Sequence, residues 1–251
     1  MKILAIIPAR YASTRFPGKP LVNILGKPMV VRVIEQALKC PAISKAIIAT
    51  DNESIKSTVQ SYGYEAVMTD ENHQSGTDRC YEAYTNFGQR YDFVLNIQGD
   101  EPFIQQEQLI TLCEILSERT QIATLVKPIT EAESLFNPNI VKVVRAASGQ
   151  GLYFSRATVP FLRDVPQQEW LNHGQYWHHL GVYAYKTDIL KKITQLKPSP
   201  LVEAEKLEQL RWLEAGYQIN TAVTEIPSIG IDTPQDLQRA LAENQNFYEG
   251  R

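Results

Sequence analysis

The sequence feature that most restricts the fold is a series of short apolar runs, each of which precedes a helical pattern. The runs span Lys2–Ala9, Lys45–Thr50, Glu65–Met68 and Tyr91–Ile97. Runs that are apolar at nearly every position suit strands buried on both faces, as in a parallel sheet with helices on each side. The alternation therefore predicts an α/β fold with a doubly wound, mostly parallel sheet and right-handed crossovers.

Four helices are predicted between and after these strands. Their expected limits are Pro28–Lys39, Asp51 as N-cap towards Gly63, Ser75 as N-cap to near Gly88, and Gln105–Arg119. Asp and Ser side chains accept hydrogen bonds from the first N–H groups of a helix, and glycine commonly follows its last turn. Each of these helices then leads to the next parallel strand.

The middle of the chain has a different pattern, because no long helix separates its strands. The expected strands are Gln121–Ile129, Val141–Ala147, Gly151–Ser155, Leu180–Lys186 and Ile219–Val223. A long helix is predicted over Pro200–Ala215, and Thr233 is expected to cap a C-terminal helix with Pro234 in its first turn. We therefore expect one domain over residues 1–251, with an inserted α+β subdomain at about residues 130–190.

Charge and composition exclude several classes of function. The chain has 25 Lys and Arg against 28 Asp and Glu, a net charge of −3. This balance argues against a nucleic-acid or membrane-surface binder. No apolar run approaches the ~18–20 residues that span a bilayer. The three cysteines form no CxxC pair and the four histidines have no zinc spacing. We expect a soluble, cytoplasmic protein that binds neither nucleic acid nor membrane.

The loop after the first strand, Pro8–Leu21, has the composition of a polyphosphate site. Ligands of open α/β sheets bind at the carboxyl ends of the strands, where this loop lies. It combines three cations with two small residues, namely Arg10, Arg15, Lys19, Ser13 and Gly18. The cations can neutralise phosphates, and small residues let backbone N–H groups approach them. Neither GxxxxGK[ST] nor GxGxxG occurs here, and a solvated basic loop is the alternative.

Two acidic clusters are candidates for a magnesium site. Asp100 follows glycine at the end of the fourth strand, within Gln98–Pro102, and Asp232 lies within Ile229–Pro234. Carboxylate oxygens bind Mg²⁺ together with phosphate oxygens and water. The alternatives are a polar turn at Asp100 and a loop acid beside a helix cap at Asp232.

A series of ordered motifs resembles one known family over residue 3 to about residue 240. The motifs are PARYASTRFPGKPL (8–21), HQSGTDR (73–79), NIQGDEP (96–102), FNPNIVKVV (136–144), YFSRATVP (153–160), HLGVYAY (179–185), PSPLVEAEKLEQLR (198–211) and GIDTPQDL (230–237). Together they resemble 3-deoxy-D-manno-octulosonate cytidylyltransferase, also called CMP-Kdo synthetase. The resemblance implies a fold like that of the nucleotide-diphospho-sugar transferases.

This family activates the eight-carbon acid sugar Kdo with CTP, giving CMP-Kdo and pyrophosphate for lipopolysaccharide assembly. The resemblance implies Mg²⁺ as cofactor and a homodimer, and it assigns dimerisation and sugar binding to the inserted subdomain at about residues 130–190. It also assigns roles by position. The implied catalytic residues are Arg15, Lys19, Asp100 and Asp232, of which Asp100 and Asp232 are the metal ligands. The implied CTP-binding residues are Ala9, Arg10, Ser13, Ser75 and Gly76. The implied Kdo-binding residues are Gln98, Arg156, His179, Tyr183, Glu208 and Gln209.

Several alternatives stay open at this point. A sialic-acid cytidylyltransferase performs the same chemistry on another 2-keto acid sugar, and an amino analogue of Kdo would need only small pocket changes. A glycosyltransferase that uses nucleotide sugars normally carries a DxD acid pair, whereas Asp100 and Glu101 are adjacent. A non-catalytic nucleotide sensor would lack the acids or the basic loop. Glu208 and Gln209 lie mid-helix in this prediction, and the alternating segment Leu180–Tyr185 could serve a dimer interface.

Overall fold

The computed structural model describes residues 1–12 and 16–248 and divides into two compact units. Unit 1 comprises Met1–Ile110 together with the C-terminal residues from Ser228 onward, and unit 2 is Thr111–Pro227. Unit 2 contains the segment at about residues 130–190 for which the sequence predicts an inserted subdomain. None of the helices in the described ranges combines the length and apolar character that crossing a bilayer requires.

The N-terminal part alternates strands and helices, as the apolar runs predict. Its elements are β1 (Ile3–Ala9), β2 (Asn23–Ile24), β3 (Lys27–Pro28), α1 (Met29–Leu38), β4 (Lys45–Thr50), α2 (Glu53–Ser61), β5 (Glu65–Met68), α3 (Gly76–Phe87), β6 (Phe93–Asn96) and α4 (Gln106–Glu114).

The sheet of unit 1 is parallel, with the strand order β5-β4-β1-β6. In the central strand, Ile6 is paired with Ile47 of β4 on one side and with Asn96 of β6 on the other. Four of the seven β1 side chains, Leu4 to Ile7, have no solvent exposure. This burial on both faces explains the continuous apolar run. The carboxyl ends of these strands meet at one edge of the sheet.

Two helix boundaries in the N-terminal part of the chain differ from the sequence prediction. Asn52, not Asp51, caps α2, since its side chain accepts hydrogen bonds from the N–H groups of Ser54 and Ile55. The predicted helix to Arg119 ends at Glu114 instead. A turn closed by Thr120 replaces its last residues, because the Thr120 hydroxyl oxygen accepts from the Ser117 N–H at 3.0 Å.

Unit 2 has a mixed sheet and mostly short helices. Its elements are β7 (Ile122–Pro128), α5 (Ala132–Phe136), β8 (Lys142–Arg145), β9 (Gln150–Ser155), α6 (Trp170–His173), β10 (Trp177–Lys186), α7 (Thr187–Ile193), α8 (Pro200–Glu205), α9 (Gln209–Glu214) and β11 (Ile219–Val223).

The strand order in unit 2 is β10-β7-β11-β9-β8, and β8 also pairs with β10. Only β7 and β11 run parallel to each other, and the other pairings are antiparallel. The side chains of β10 from Tyr183 to Tyr185 are buried, as are Leu180 and Val182. The suggestion of a dimer interface at Leu180–Tyr185 is therefore wrong, because these residues form the protein core.

The predicted helix over Pro200–Ala215 is in fact two helices, α8 and α9. Lys206 adopts a left-handed conformation, with φ 53°, and ends α8. In a continuous helix the Glu205 carbonyl would accept from the Gln209 N–H. Here the Arg156 Nε donates to that carbonyl at 2.7 Å, and a new helix starts after Glu208.

The chain ends in unit 1 with α10 (Pro234–Glu243). Thr233 caps it as predicted, and Thr233 and Asp236 satisfy each other's backbone N–H groups in a capping box. Ala240 on this helix packs with Met29, Phe103 and Ile231 in a small apolar cluster. The cluster anchors the loop that carries Asp232.

Candidate active site

Unit 1 contains a polar cavity of about 280 Å³ at the carboxyl ends of its strands. Residues from the ends of β1 and β6, from the first turn of α3 and from the loop before α10 line it. They are Pro8, Ala9, Arg10, Lys19, Pro20, His73, Gln74, Ser75, Gly76, Arg79, Gln98, Gly99, Asp100 and Asp232. The cavity is therefore built from the segments that the sequence analysis selected.

Lys19 joins the two acidic clusters in this cavity. Its Nζ lies 2.7 Å from Asp100 Oδ2 and 3.0 Å from Asp232 Oδ1. The Lys19 side chain is 14% exposed, whereas those of Asp100 and Asp232 are 30% and 49% exposed. Two carboxylates from distant segments thus converge on a single positive charge.

The local backbone explains how these three residues meet. Gly18 has a φ of 69°, in the left-handed region, and turns the chain into the short 3-10 helix that begins at Lys19. Asp100 follows Gly99, where a Cβ atom would lie 2.5 Å from the Pro8 carbonyl oxygen. The Ile231 N–H donates to the Asp100 carbonyl oxygen at 2.9 Å and brings the Asp232 loop beside β6.

The N-terminus of α3 forms another wall. Ser75 caps the helix, with its Oγ accepting from the Asp78 N–H at 3.1 Å, as the sequence predicts. Gly76 begins the helix, and a Cβ there would lie 3.5 Å from the side chain of Asn96. A helix N-terminus offers N–H groups and a positive dipole end to an acceptor such as a phosphate or a nucleobase carbonyl.

Arg79 is a cavity residue that the sequence analysis did not select. It is buried, and it donates to Asp51 Oδ2 at 2.8 Å and to Thr69 Oγ1 at 2.6 Å. This ion pair ties α3 to the ends of β4 and β5, and it explains why Asp51 does not cap α2. His73, which bonds to Glu82, was also missed. The motif HQSGTDR contains both residues and was the available signal.

Glu101, next to Asp100, is buried and lies outside the predicted set. The pKa of its carboxyl is raised to about 7, chiefly by burial, while a hydrogen bond with Ser228 opposes the rise and the Asp100 charge adds to it. The side chain links the end of β6 to the segment before α10.

The structure brings together eight of the predicted unit 1 residues in this cavity. They are Ala9, Arg10, Lys19, Ser75, Gly76, Gln98, Asp100 and Asp232. Ser13 and Arg15, also predicted for the site, lie outside the described residues. Arg10 is exposed at the cavity, so its guanidinium remains accessible to an anion.

The carboxylates of Asp100 and Asp232 are suitable ligands for a magnesium ion, because they converge on one point. Asp100 and Asp232 already direct carboxylate oxygens to one cation, the Lys19 ammonium. Within residues 1–12 and 16–248, no group of three or more His, Cys, Asp or Glu residues could hold a metal. Mg²⁺ commonly takes only one or two protein carboxylates and completes its shell with phosphate oxygens and water. The pair therefore suits a metal that arrives with a polyphosphate.

In unit 2, Arg156 is held at the end of β9 by backbone groups. Its Nε donates to the Glu205 carbonyl at 2.7 Å, and its Nη1 donates to the Pro138 carbonyl at 3.2 Å. The Glu205 carboxylate in turn accepts from the Arg156 N–H at 2.8 Å and from the Ser155 hydroxyl at 2.6 Å. The guanidinium is thereby fixed in orientation.

His179 and Tyr183 lie together on β10, with ring centroids 5.2 Å apart. Burial lowers the pKa of His179 to about 3, with the neighbouring His178 as a second cause, so the imidazole is neutral near pH 7. Burial also raises the pKa of Tyr183 well above its ordinary value, and the Glu208 charge adds to this. The buried Tyr183 hydroxyl has no hydrogen-bond partner among the described residues. This is an environment in which a ligand hydroxyl would be bound favourably.

Glu208 and Gln209 begin a helix instead of lying within one. Glu208 is the N-cap residue of α9, and its carboxylate accepts from Arg211 Nη2 at 2.6 Å. Gln209 is buried in the first turn. The prediction that both lie mid-helix is wrong, because the chain leaves the helical conformation at Lys206 and α9 starts after Glu208, whose charge acts on Tyr183.

Comparisons with known proteins identify the family of this chain. A family model described as Cytidylyltransferase matches residues 4–220. The 3-deoxy-manno-octulosonate cytidylyltransferase of Cytophaga hutchinsonii is 53% identical over 240 residues, which cover 95% of this chain and 96% of that protein. The protein of the same name from Parabacteroides distasonis is 51% identical over 247 residues, covering 96% and 98%.

Solved structures give the same relationship. A structure of CMP:2-keto-3-deoxy-manno-octonic acid synthetase complexed with CTP is 37% identical, with a TM-score of 0.91 and coverage of 98% of this chain and 99% of that one. A 4-diphosphocytidyl-2C-methyl-D-erythritol synthase from Anaerococcus prevotii shares the fold alone, at 13% identity, TM-score 0.64 and coverage of 97% and 98%. The predicted α/β fold of nucleotide-diphospho-sugar transferase type is confirmed. The chain belongs to the 3-deoxy-manno-octulosonate cytidylyltransferase family.

Proposed function

We propose that this protein transfers the cytidylyl group of CTP to Kdo, giving CMP-Kdo and pyrophosphate for lipopolysaccharide assembly. The observation that carries the proposal is the convergence of Lys19 on Asp100 and Asp232 beside the α3 N-terminus. Cations, paired carboxylates and a helix N-terminus together suit a metal-bound nucleoside triphosphate.

The reaction requires an anomeric hydroxyl to attack the α-phosphorus of CTP. A new oxygen–phosphorus bond forms, the bond to pyrophosphate breaks, and the hydroxyl proton is released to water. Such displacements depend on positioning and on neutralising the phosphate charge, so no covalent nucleophile on the protein is required. Arg10 at the cavity and Lys19 within it supply positive charge for the triphosphate and the departing pyrophosphate.

Magnesium is part of the proposal, with Asp100 and Asp232 as its protein ligands. When bound, the metal supplies charge neutralisation to the phosphates and lowers the pKa of the attacking hydroxyl. The same two carboxylates now hold the Lys19 ammonium. Lys19 therefore keeps the acids together before the nucleotide binds and places a second cation beside the phosphates afterwards.

The cytidine is assigned to the α3 wall. Ala9, Ser75 and Gly76 present backbone groups at the ends of β1 and the start of α3, where they can bond the edge of the base. Pro8 is rigid and Gly76 has no side chain, so a flat ring can approach the backbone closely. CTP is expected to be preferred over the other three nucleotides.

The residues of unit 2 that we assign to Kdo are Arg156, His179, Tyr183, Glu208 and Gln209. Gln98, which the family resemblance also assigns to Kdo, lines the cavity of unit 1. Arg156 is oriented by two backbone carbonyls, and its planar guanidinium suits the sugar carboxylate. The Tyr183 hydroxyl has no hydrogen-bond partner among the described residues, and the His179 imidazole is neutral. Both groups suit hydrogen bonds with sugar hydroxyls. The roles of these residues rest on the family relationship.

We also propose a cytoplasmic homodimer. Phe136 and Phe161 lie beside Trp170 in unit 2, and 38% and 73% of their surfaces are exposed. Exposed aromatic side chains that lie together are typical of an interaction site, which supports a dimer contact here. All three cysteines are buried and none forms a disulfide, as expected for a reducing compartment. Sedimentation of the purified protein tests the dimer. A monomer at micromolar concentration would contradict it.

A pyrophosphate-release assay tests the proposed function. Each of the four nucleotides is combined with Kdo, with sialic acid, with an amino analogue of Kdo, or with no sugar. Release is expected with CTP and Kdo together, and it should depend on Mg²⁺. Equal release with UTP or ATP, or a preference for sialic acid or the amino analogue, would overturn the assignment.

A further inference from the structure

Strand β10 has an irregular register where the candidate sugar-binding residues lie. Leu180 is opposite Leu125 of β7, but the next paired residue, Tyr183, is opposite Thr124. Gly181 and Val182 therefore bulge between two successive residues of β7. Bulges redirect the neighbouring side chains of a strand, and they occur often beside active sites.

The side chain of Thr124 connects both ends of this bulge to His179. Its hydroxyl donates to the Val182 carbonyl at 2.7 Å, with the Leu180 carbonyl also within 3.1 Å. The same Oγ1 atom lies 3.0 Å from Nε2 of His179. Thr124 is fully buried, and His179 is 9% exposed, so water does not compete for these bonds.

The direction of these hydrogen bonds determines the tautomer of His179. Carbonyl oxygens only accept, so the single proton of the Thr124 hydroxyl points to the bulge. Towards His179 the Oγ1 atom is then the acceptor, and Nε2 must carry a proton. Burial lowers the pKa of His179 to about 3, so the ring holds only one proton near pH 7. Nδ1 is therefore the unprotonated nitrogen, and it can only accept a hydrogen bond.

The ring of His179 is also held in place by its neighbours. Phe154 of β9 packs edge-on against it, with centroids 5.1 Å apart and an interplanar angle of 84°. Tyr183 lies on β10 with its centroid 5.2 Å from the imidazole. These contacts oppose rotation of the ring, so the hydrogen bond with Thr124 decides which nitrogen accepts.

We propose that Thr124 is a positioning residue for the sugar site, where it fixes His179 as the Nε2–H tautomer so that Nδ1 accepts a hydrogen bond from a sugar hydroxyl. The Kdo part of this inference rests on the proposed function, whereas the tautomer does not. A site with a buried acceptor rejects analogues that lack the matching hydroxyl. Thr124 thus contributes to specificity without touching the sugar.

Nitrogen-15 NMR of the histidine side chains tests the tautomer directly in the wild-type protein. A His179→Gln variant assigns the His179 signals among those of the four histidines. We expect a protonated Nε2 and an unprotonated Nδ1, with the Nδ1 signal shifting when Kdo is added. A protonated Nδ1 in the free protein would overturn the proposal.

Substitution of Thr124 tests its effect on the sugar. Thr124→Val removes the hydroxyl with little change in shape, and we expect a KM for Kdo raised about tenfold with the KM for CTP little changed. Thr124→Ser keeps a hydroxyl and should restore both the tautomer and the KM. An unchanged His179 spectrum and an unchanged KM in Thr124→Val would contradict the proposal.

Thr221→Val is the matched control for lost stability. Thr221 is also a buried threonine of the unit 2 sheet, and its hydroxyl bonds to Arg145 and to Gly149, each at 2.6 Å. Its loss should lower the melting temperature while leaving the His179 spectrum and the KM for Kdo unchanged. If Thr124→Val does not fold, the wild-type spectrum and the Thr124→Ser kinetics decide. If the wild-type protein instead shows the expected tautomer but no Kdo-dependent pyrophosphate release, the proposed function fails and the Thr124–His179 assignment stands.

Discussion

The ammonium group of Lys19 lies 2.7 Å from a carboxylate oxygen of Asp100, although 81 positions separate the two residues in the sequence. The ion pair connects the loop after β1 with the end of β6. These strands are parallel neighbours, so their carboxyl ends lie side by side. Asp232 completes the arrangement from the loop before α10. Bringing these three charges together in a partly buried place costs free energy of desolvation.

The charge of Asp100 should be essential for turnover. Asp100→Asn keeps the shape of the side chain but removes the charge that we propose binds Mg²⁺ and that pairs with Lys19. We expect kcat to fall by roughly 10²-fold or more while the melting temperature changes little, because the loss is electrostatic. Steady-state kinetics over a range of Mg²⁺ concentrations measure this effect.

Asp92→Asn is the control for this experiment. Asp92 lies just before β6, at the opposite end of the strand, where its carboxylate accepts from the Lys2 N–H at 2.6 Å on the surface. Its substitution should leave kcat unchanged. Near-normal turnover of Asp100→Asn at limiting Mg²⁺ would rule out the metal role of Asp100.

Gly99 should tolerate no side chain. A Cβ at this position would lie 2.5 Å from the Pro8 carbonyl oxygen, so either β1 or the Asp100 loop must move. We expect Gly99→Ala to destabilise the protein by about 1–3 kcal/mol, the usual cost of overpacking, and to lower kcat. Gly230→Ala is the matched control, since a Cβ there meets nothing within 4 Å. Equal denaturation midpoints and activities for the two variants would contradict this account.

Arg156 should act on Kdo and not on CTP. Arg156→Lys keeps the charge but has a single nitrogen with which to replace the bonds to Glu205 and Pro138. We expect a KM for Kdo raised about tenfold or more and a KM for CTP close to that of the wild type. Arg163→Lys, at a highly exposed arginine of the same unit, is the control. A lowered melting temperature with both KM values altered alike would indicate a purely structural role.

Acid should destabilise the protein through His178 and His179, whose pKa values are lowered in the folded state. Burial lowers the pKa of His179 to about 3 and that of His178 to about 4, from an ordinary value of 6.5. Below pH 6.5 the unfolded chain therefore binds protons that the folded chain excludes. The two neutral histidines therefore contribute fully to the free energy of unfolding above pH 6.5. This contribution is lost as the pH falls towards their pKa values in the folded protein.

Urea denaturation at several pH values measures this dependence. Between about pH 6 and pH 4.5, each such histidine lowers the free energy of unfolding by up to about 1.4 kcal/mol per pH unit. In the His179→Gln variant, the free energy of unfolding should depend less steeply on pH, because one of the two contributions is removed. His173→Gln, at a ring that is 55% exposed, should leave it unchanged. The same slope in the His179→Gln variant and the wild type would contradict the buried, neutral state of His179.

Local signals were enough for much of unit 1. The apolar runs correctly predicted β1, β4 and β5, because strands buried on both faces have little room for polar residues. Ser75 and Thr233 were correctly predicted as caps, because a cap depends on residues within one turn of the helix. The motifs at the strand ends selected the cavity residues, since the carboxyl edge of a parallel sheet is where ligands bind.

Other features depend on contacts that are distant in the sequence. Either Asp51 or Asn52 could cap α2, and the choice follows from the buried Arg79, which takes Asp51 as its partner. The break between α8 and α9 follows from Arg156, which occupies the Glu205 carbonyl that a continuous helix would need. Neither competing partner is visible in the local sequence.

The sequence by itself determined the parallel strands of unit 1, the helix caps at Ser75 and Thr233, and the types of residue at the site. Tertiary structure alone decided that Lys19 binds both Asp100 and Asp232, and that His179 faces Thr124 across a bulge. The reason is physical. Strand and helix patterns reflect burial within a few residues, whereas ion pairs and tautomers depend on which distant groups the packed sheet places within 3 Å of each other.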